Sequence, residues 1–129
     1  MSEGKRTVLI VDDNDMMRKL LAAELGRDAR FEVVVAATGA EGLEKAVSAN
    51  PAVIVLDMIL PDLSGVQFLE QLKIHRPDCP SVIAITGATA TAVPDAIIEA
   101  PFRGQVSAVF RKPFDHDKLR ETVAFCAGC

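Results

Sequence analysis

Five polar residues in this sequence share a setting: each stands where a run of apolar, β-forming residues stops. Val8-Leu9-Ile10-Val11 ends in Asp12-Asp13, the run to Leu56 ends in Asp57, the run to Ile85 ends in Thr86, and Val106 to Phe110 leads through Arg111 into Lys112. Adjacent carboxylates repel by roughly 4 kcal/mol when about 4 Å apart at an effective dielectric near 20. Three of them in one place raise their own pKa values unless a cation sits among them. Oxygen-only ligands suit a hard divalent ion, Mg²⁺ or Mn²⁺ in its place, and the absence of His and Cys from the set argues against zinc. A divalent ion with one ammonium and one hydroxyl is equipment for phosphoryl transfer, because both cations neutralise charge growing on the equatorial oxygens. A carboxylate can then serve as nucleophile and form an acyl phosphate. Asp57, presented alone by the middle strand, is the candidate nucleophile, and Asp12 and Asp13 the candidate metal ligands.

Taken singly, each residue has an ordinary reading. Asp-Asp after a strand is often a loop with a helix cap, Asp57 a turn residue, Thr86-Gly87 a turn, and Lys112-Pro113 the approach to a helix. The joint pattern needs a fold that brings four strand ends together, and the remaining sequence supplies one. Short apolar runs at Thr7 to Val11, Phe31 to Val35, Ala52 to Leu56, Ser81 to Ile85 and Val106 to Phe110 predict five strands, the third without polar alternation and so buried on both faces. Between them lie helical patterns. Met16, Met17, Leu20, Leu21 and Leu25 mark the first, capped by Asp13 or Asn14. Leu43, Ala46 and Val47 mark the second, behind a Thr38-Gly-Ala-Glu41 capping box and stopped by Asn50-Pro51. Val66, Leu69 and Leu72 mark the third, with Ser64 as cap. A short fourth helix is predicted over Ala96 to Ala100, between Pro94 and Pro101, and a last one behind Asp115 with Leu119, Val123 and Cys126 inward. Strands alternating with helices imply an α/β, doubly wound, five-stranded parallel sheet with right-handed crossovers. Such sheets bind ligands outside the carboxyl ends of their strands.

Composition narrows the function further. The 129 residues carry a formal charge of −4, half are hydrophobic and a quarter charged, which suits one globular domain. Arg18-Lys19 and Arg111-Lys112 are pairs rather than a basic stripe, and Tyr and Trp are absent, so direct nucleic-acid binding is not expected. No apolar window is long enough for a membrane span and the start shows no signal-peptide pattern, so the expectation is a cytoplasmic chain without membrane contact. Of the three cysteines, Cys126 and Cys129 spell C-x-x-C, but no second pair completes a zinc site; Cys126 is expected to pack on the last helix and Cys129 to fray. His75 and His116 are expected at helix ends in solvent.

Collected in order, these residues resemble the receiver domain of two-component response regulators over essentially the whole chain. VLIVDDND resembles the family's acidic start, Asp57-Met-Ile-Leu-Pro61-Asp-Leu-Ser-Gly65 its phosphoacceptor loop, and Ile85-Thr86-Gly87 and Arg111-Lys112-Pro113-Phe114 its Thr and Lys-Pro signatures. From its length and its end the chain is expected to be a single domain over 1–129, core about 6–127, with no output domain in it. The resemblance implies a flavodoxin-like sheet of order 2-1-3-4-5. It implies that Asp57 accepts phosphate from a histidine kinase or phosphotransfer protein. Asp12, Asp13, Asp57 and the backbone carbonyl of Ile59 would hold Mg²⁺, Lys112 would pair with the phosphoryl group, and Thr86 would move to hydrogen-bond it. A downstream protein target would read the face of the fourth helix, fifth strand and last helix.

Three departures qualify the resemblance. The family's usual aromatic, three residues before the lysine, is Val109 here; Phe110 follows it and by strand alternation points to the opposite face. The segment from Thr86 to Lys112 is longer than usual and carries Pro94 and Pro101. The chain ends soon after the last helix, which fits a stand-alone receiver or a piece of a longer protein. Ile59 and Ala88, at the positions that tune water access, cannot orient a water, so slow to intermediate self-dephosphorylation is expected. Two other functions compete with this one. A Mg²⁺-dependent phosphohydrolase would use a D-x-D, which Asp13-Asn14-Asp15 spells at the wrong strand and without a cap insertion. A phosphorylation-independent interaction module would leave the acidic set unexplained.

Overall fold

The computed structural model describes residues 5–78, 80–87 and 105–128. Five strands form one sheet: β1 (Arg6–Val11), β2 (Phe31–Ala36), β3 (Val53–Asp57), β4 (Ser81–Thr86) and β5 (Val106–Arg111). All neighbours pair in parallel, in the order β2-β1-β3-β4-β5, as expected. The helices among the described residues are α1 (Asp15–Gly26), α2 (Gly39–Ser48), α3 (Gly65–His75) and α4 (His116–Cys126). The helix expected over Ala96 to Ala100 lies outside the described residues, as do Ala88, Pro94, Pro101, Cys79 and Cys129. Among the described residues no helix is long and apolar enough to cross a membrane.

The sheet separates two cores. Leu9, Val11, Ile54, Leu56, Val82 and Ala84 face α2 and α3, whose Ala46, Phe68, Leu69 and Leu72 cover them. Val8, Ile10, Val53, Val55, Ile83 and Ile85 face α1 and α4, covered by Leu21, Leu25, Leu119 and Val123. Every residue of β3 is buried, which the sheet's centre demands. At the edge, β5 carries a register shift: Val82 pairs with Val106 but Ile83 with Ala108, leaving Ser107 as an extra residue.

Local chemistry sets the ends of the helices. The Asn14 side chain accepts from the Met17 amide and caps α1. Ser64 and Gln67 exchange both bonds of a full capping box at α3. The Thr38–Glu41 box is half formed: Thr38 Oγ1 accepts from the Glu41 amide, but Glu41 reaches one residue further, to the Ala37 amide at 2.7 Å. Asp115 caps α4 by accepting from the amides of Asp117 and Lys118.

Two expectations about inward faces change. Met16 is 82% exposed and Leu20 45%, so only Met17, Leu21 and Leu25 of the first stripe pack on the sheet. On α2, Val47 is exposed, while Ala46 is buried and Leu43 packs partly against the core. Cys126 packs against the α1/α4 core as expected.

Candidate functional site

The carboxyl ends of β1, β3, β4 and β5 meet at one edge of the sheet, and all five side chains singled out in the sequence are there. Asp57 is the last residue of β3, paired with Ile85, and Thr86 is the last of β4, paired with Arg111. The Lys112 amide donates to the Thr86 carbonyl at 2.9 Å, which carries the ladder one residue further and aims the lysine side chain back across the sheet. Its Nζ lies 3.2 Å from Asp57 Oδ2 and 3.7 Å from Asp12 Oδ2. One carboxylate oxygen from each of Asp12, Asp13 and Asp57 lies within 4.8 Å of the others.

Burial differs across the set. Asp12 and Thr86 are 1% and 0% exposed and Asp57 7%, while Asp13 is open to solvent. Burial pushes the Asp12 carboxyl above its ordinary range, and the nearby Asp57 and Asp13 charges push the same way. The Asn14 amide and the Lys112 ammonium pull against them. A second cation would relieve this cost.

Two buried oxygens support that reading. Asp12 Oδ1 accepts from the Asn14 amide at 2.8 Å, but Oδ2 has no hydrogen-bond partner among the described residues. Thr86 Oγ1 is likewise without one. Buried polar atoms are nearly always satisfied, so these two mark where a ligand's donors and acceptors fit. Carboxylate oxygens around one space are the donor set for Mg²⁺, whose remaining positions take water and phosphate oxygens. The residues present therefore fit the ion.

The loop after β3 is fixed from several sides. The Ile59 amide donates to Asp57 Oδ1 at 3.0 Å, the Met58 amide to the Ile85 carbonyl, and the Gly65 amide back to the Met58 carbonyl at 2.8 Å. Ile59 also bridges Ser64 in antiparallel fashion. The return to Met58 requires glycine, since a Cβ on Gly65 would stand 2.8 Å from the Met58 Cα and strike its side chain. Asp62 reaches out of this loop to accept from the Gly39 and Ala40 amides, at 2.8 and 2.9 Å. These bonds, the Ala40 amide foremost, hold its carboxyl below the usual range. Sequence reasoning passed over Asp62, although its place directly after Pro61 in the loop was the available signal.

On the other side of β5, the alternation expected of Val109 and Phe110 is observed: Val109 packs toward α2 and α3, and Phe110 toward α1 and α4. Phe110 meets Phe114 edge to face at 5.9 Å, and Phe114 stacks on His116 at 4.9 Å. His116 was expected in solvent. Instead its Nδ1 lies 2.8 Å from Glu24 Oε2, a contact between α4 and α1 that spans 92 positions of sequence. His75 is exposed, as expected. The Lys112–Pro113 peptide between the two phenylalanines is cis.

A family model described as the response regulator receiver domain matches residues 8–124. The protein-glutamate methylesterase/protein-glutamine glutaminase 1 of Caulobacter vibrioides is 38% identical over 94% of this chain, which covers 34% of that protein. The transcriptional regulatory protein SrrA of Staphylococcus aureus is 42% identical over 54% of this chain and 28% of its own length. The chain spans about a quarter to a third of the length of the curated relatives it matches. Among solved structures, a response regulator receiver domain protein from Clostridium thermocellum superposes with a TM-score of 0.81 at 26% identity, covering 95% of this chain and 94% of that one. The response regulator domain of Thermotoga maritima CheB shares the fold, with a TM-score of 0.76 at 23% identity over 97% and 98% of the two chains.

Proposed function

The chain belongs to the family of response regulator receiver domains, and from that premise we propose that Asp57 is its phosphoacceptor and that Asp12, Asp13, Asp57 and the Ile59 carbonyl hold Mg²⁺. The observation that carries this reading is the Lys112 ammonium 3.2 Å from Asp57, beside three carboxylates gathered within 4.8 Å.

The donor is a phosphohistidine on a histidine kinase or phosphotransfer protein. An oxygen of the Asp57 carboxylate attacks phosphorus, a P–O bond forms, the P–N bond breaks, and the departing imidazole keeps the electron pair and takes up a proton. Lys112 exchanges its contact with Asp57 for one with a phosphoryl oxygen, supplying positive charge where negative charge develops. Bound Mg²⁺ would add the second positive charge on those oxygens. Thr86, with a buried hydroxyl that lacks a partner among the described residues, donates to another phosphoryl oxygen and thereby reports the modified state. The Ile59 side chain is 60% exposed and offers attacking water no hydrogen bond, which favours a long-lived acyl phosphate. The protein assists its own modification and reversal without turning over a substrate. It works in the cytoplasm, away from nucleic acid and membranes, and its downstream protein partner reads the face carrying β5 and α4.

The test is incubation with a small-molecule phosphodonor and Mg²⁺, followed by intact-mass measurement. The expected result is one acid-labile phosphoryl group on the wild type and none on Asp57→Asn. A folded wild type that gains no phosphate with Mg²⁺ present would overturn the assignment.

A further inference from the structure

The acidic cluster has a support that no part of the proposed chemistry uses. Arg18, one turn into α1, turns its side chain back toward the strand end; Nη1 donates to the main-chain carbonyl of Asp12 at 2.9 Å, and Nη2 to Asp15 Oδ1 at 2.5 Å. Only 17% of its side chain is exposed. We propose that Arg18 is a positioning residue for the metal-holding carboxylates, acting through the Asp12–Asp13 peptide. This rests on the reading of Asp12 and Asp13 as the cation's ligands.

The argument starts with what is left to orient Asp13. Asp12 is fixed by its own bonds: its amide donates to the Ala36 carbonyl at 3.1 Å and its Oδ1 accepts from the Asn14 amide. Asp13 is exposed and its carboxylate makes no hydrogen bond or ion pair among the described residues, so its direction follows from its backbone. The carbonyl of Asp12 and the amide of Asp13 share one rigid plane. A donor that holds that carbonyl sets the plane, and with it the direction in which the Asp13 Cβ leaves the chain.

Arginine suits the task because its planar fork spans two acceptors in fixed geometry, which an ammonium cannot reproduce. The second acceptor, Asp15, is also engaged by Lys19 at 3.0 Å, so the fork is anchored on the helix at one end and grips the loop at the other. The Arg18 amide closes the same turn on the Asn14 carbonyl at 2.9 Å.

Charge and position make opposite demands here, and this supplies the test. A fixed cation beside a cation site weakens metal binding by repulsion. If Arg18 acted through its field alone, Arg18→Met would tighten Mg²⁺ binding. If it acts by position, the same change loosens binding despite the lost repulsion. Supporting groups around metal ligands are worth about ten- to a hundredfold in metal affinity. Calorimetric titration with Mg²⁺ alone is expected to show affinity reduced about tenfold in Arg18→Met and nearly as much in Arg18→Lys, which keeps the charge and loses the fork. Phosphorylation by a small phosphodonor should slow at limiting Mg²⁺ and recover at saturating Mg²⁺. Unchanged or tighter Mg²⁺ binding by Arg18→Met, with normal binding by the wild type, overturns the positioning role alone; no Mg²⁺ uptake by the wild type overturns the site reading with it. Should Arg18→Met fail to fold, Arg18→Lys carries the same decision: wild-type affinity in that variant overturns the proposal.

Discussion

The acidic and cationic halves of the site are built differently. The acids leave β1 and β3, inner strands of the sheet; residues Val8 to Val11 are fully buried, and every residue of β3 is buried. The loops that follow are tied down at several points, by the Asn14 cap, the Arg18 fork, the Gly65 return and the Asp62 reach to α2. Lys112 leaves β5, the edge strand, where Ala108, Val109 and Phe110 are only half-buried and the side chain itself is 28% exposed. The lesson is a division of labour. Of the three carboxylates, Asp12 and Asp57 are buried and each accepts from a loop amide, whereas the Lys112 ammonium is carried on the looser side and at the end of a long, flexible stem.

That contrast can be broken most strongly in the cores behind it. Ile54→Ala in β3 should cost ~2–5 kcal/mol in urea unfolding, the usual price of a large cavity in a packed centre. Val109→Ala in β5 should cost only ~1 kcal/mol, because that residue is half-exposed. Equal losses would show that the edge is as tightly packed as the centre.

A second measurement addresses the repulsion itself. Without metal, Asp12→Asn should raise the melting temperature at neutral pH, since it removes a buried charge that burial and two neighbouring carboxylates disfavour. Adding Mg²⁺ at a hundredfold excess over Kd should stabilise the wild type by about 2.7 kcal/mol and the variant by less, reversing their order. Asp12→Asn melting below the wild type in the absence of metal would mean that Lys112 already offsets the burial of Asp12.

The smallest effect concerns the tie between the β3–α3 loop and α2. The Asp62 carboxyl titrates below its ordinary value of 3.8, so its stabilisation is complete above that pH and is lost as pH falls through the folded-state pKa. Asp62→Ala should therefore destabilise at neutral pH, and the difference in melting temperature from the wild type should shrink on acidification below about 3.8. A pH-independent difference would locate the contribution in packing rather than in the charged hydrogen bonds.

Much of this was legible in the sequence because the signals are local. Five apolar runs gave five strands, and the polar residues that follow four of them, those of β1, β3, β4 and β5, gave the site. Four of the five strands nonetheless run one residue past their apolar stretch at one end, since Arg6 pairs with Phe31, Asp57 with Ile85 and Thr86 with Arg111; backbone pairing does not stop where hydrophobicity does. The first helix misled because two apolar stripes at the same spacing lie side by side. Residues 17, 21 and 25 face the sheet while 16 and 20 face water, and periodicity alone does not choose between them. The His116–Glu24 contact and the Arg18 grip on a carbonyl were hidden for another reason. The first joins residues remote in sequence, and the second ends on a main-chain atom, which every residue possesses.

Ser107, the surplus residue in the outer strand, has a consequence out of proportion to its size. Side chains along a strand obey an odd–even rule, and one inserted position exchanges odd for even from there to the strand's end. Before it, Val106 belongs with Val82 on the α2/α3 side; after it, Val109 lies on that side and Phe110 on the other, beside Phe114. The same parity step sets which way the chain is turned as it arrives at Lys112. A single unremarkable serine thus decides which half of the molecule receives the aromatic ring two residues before Lys112.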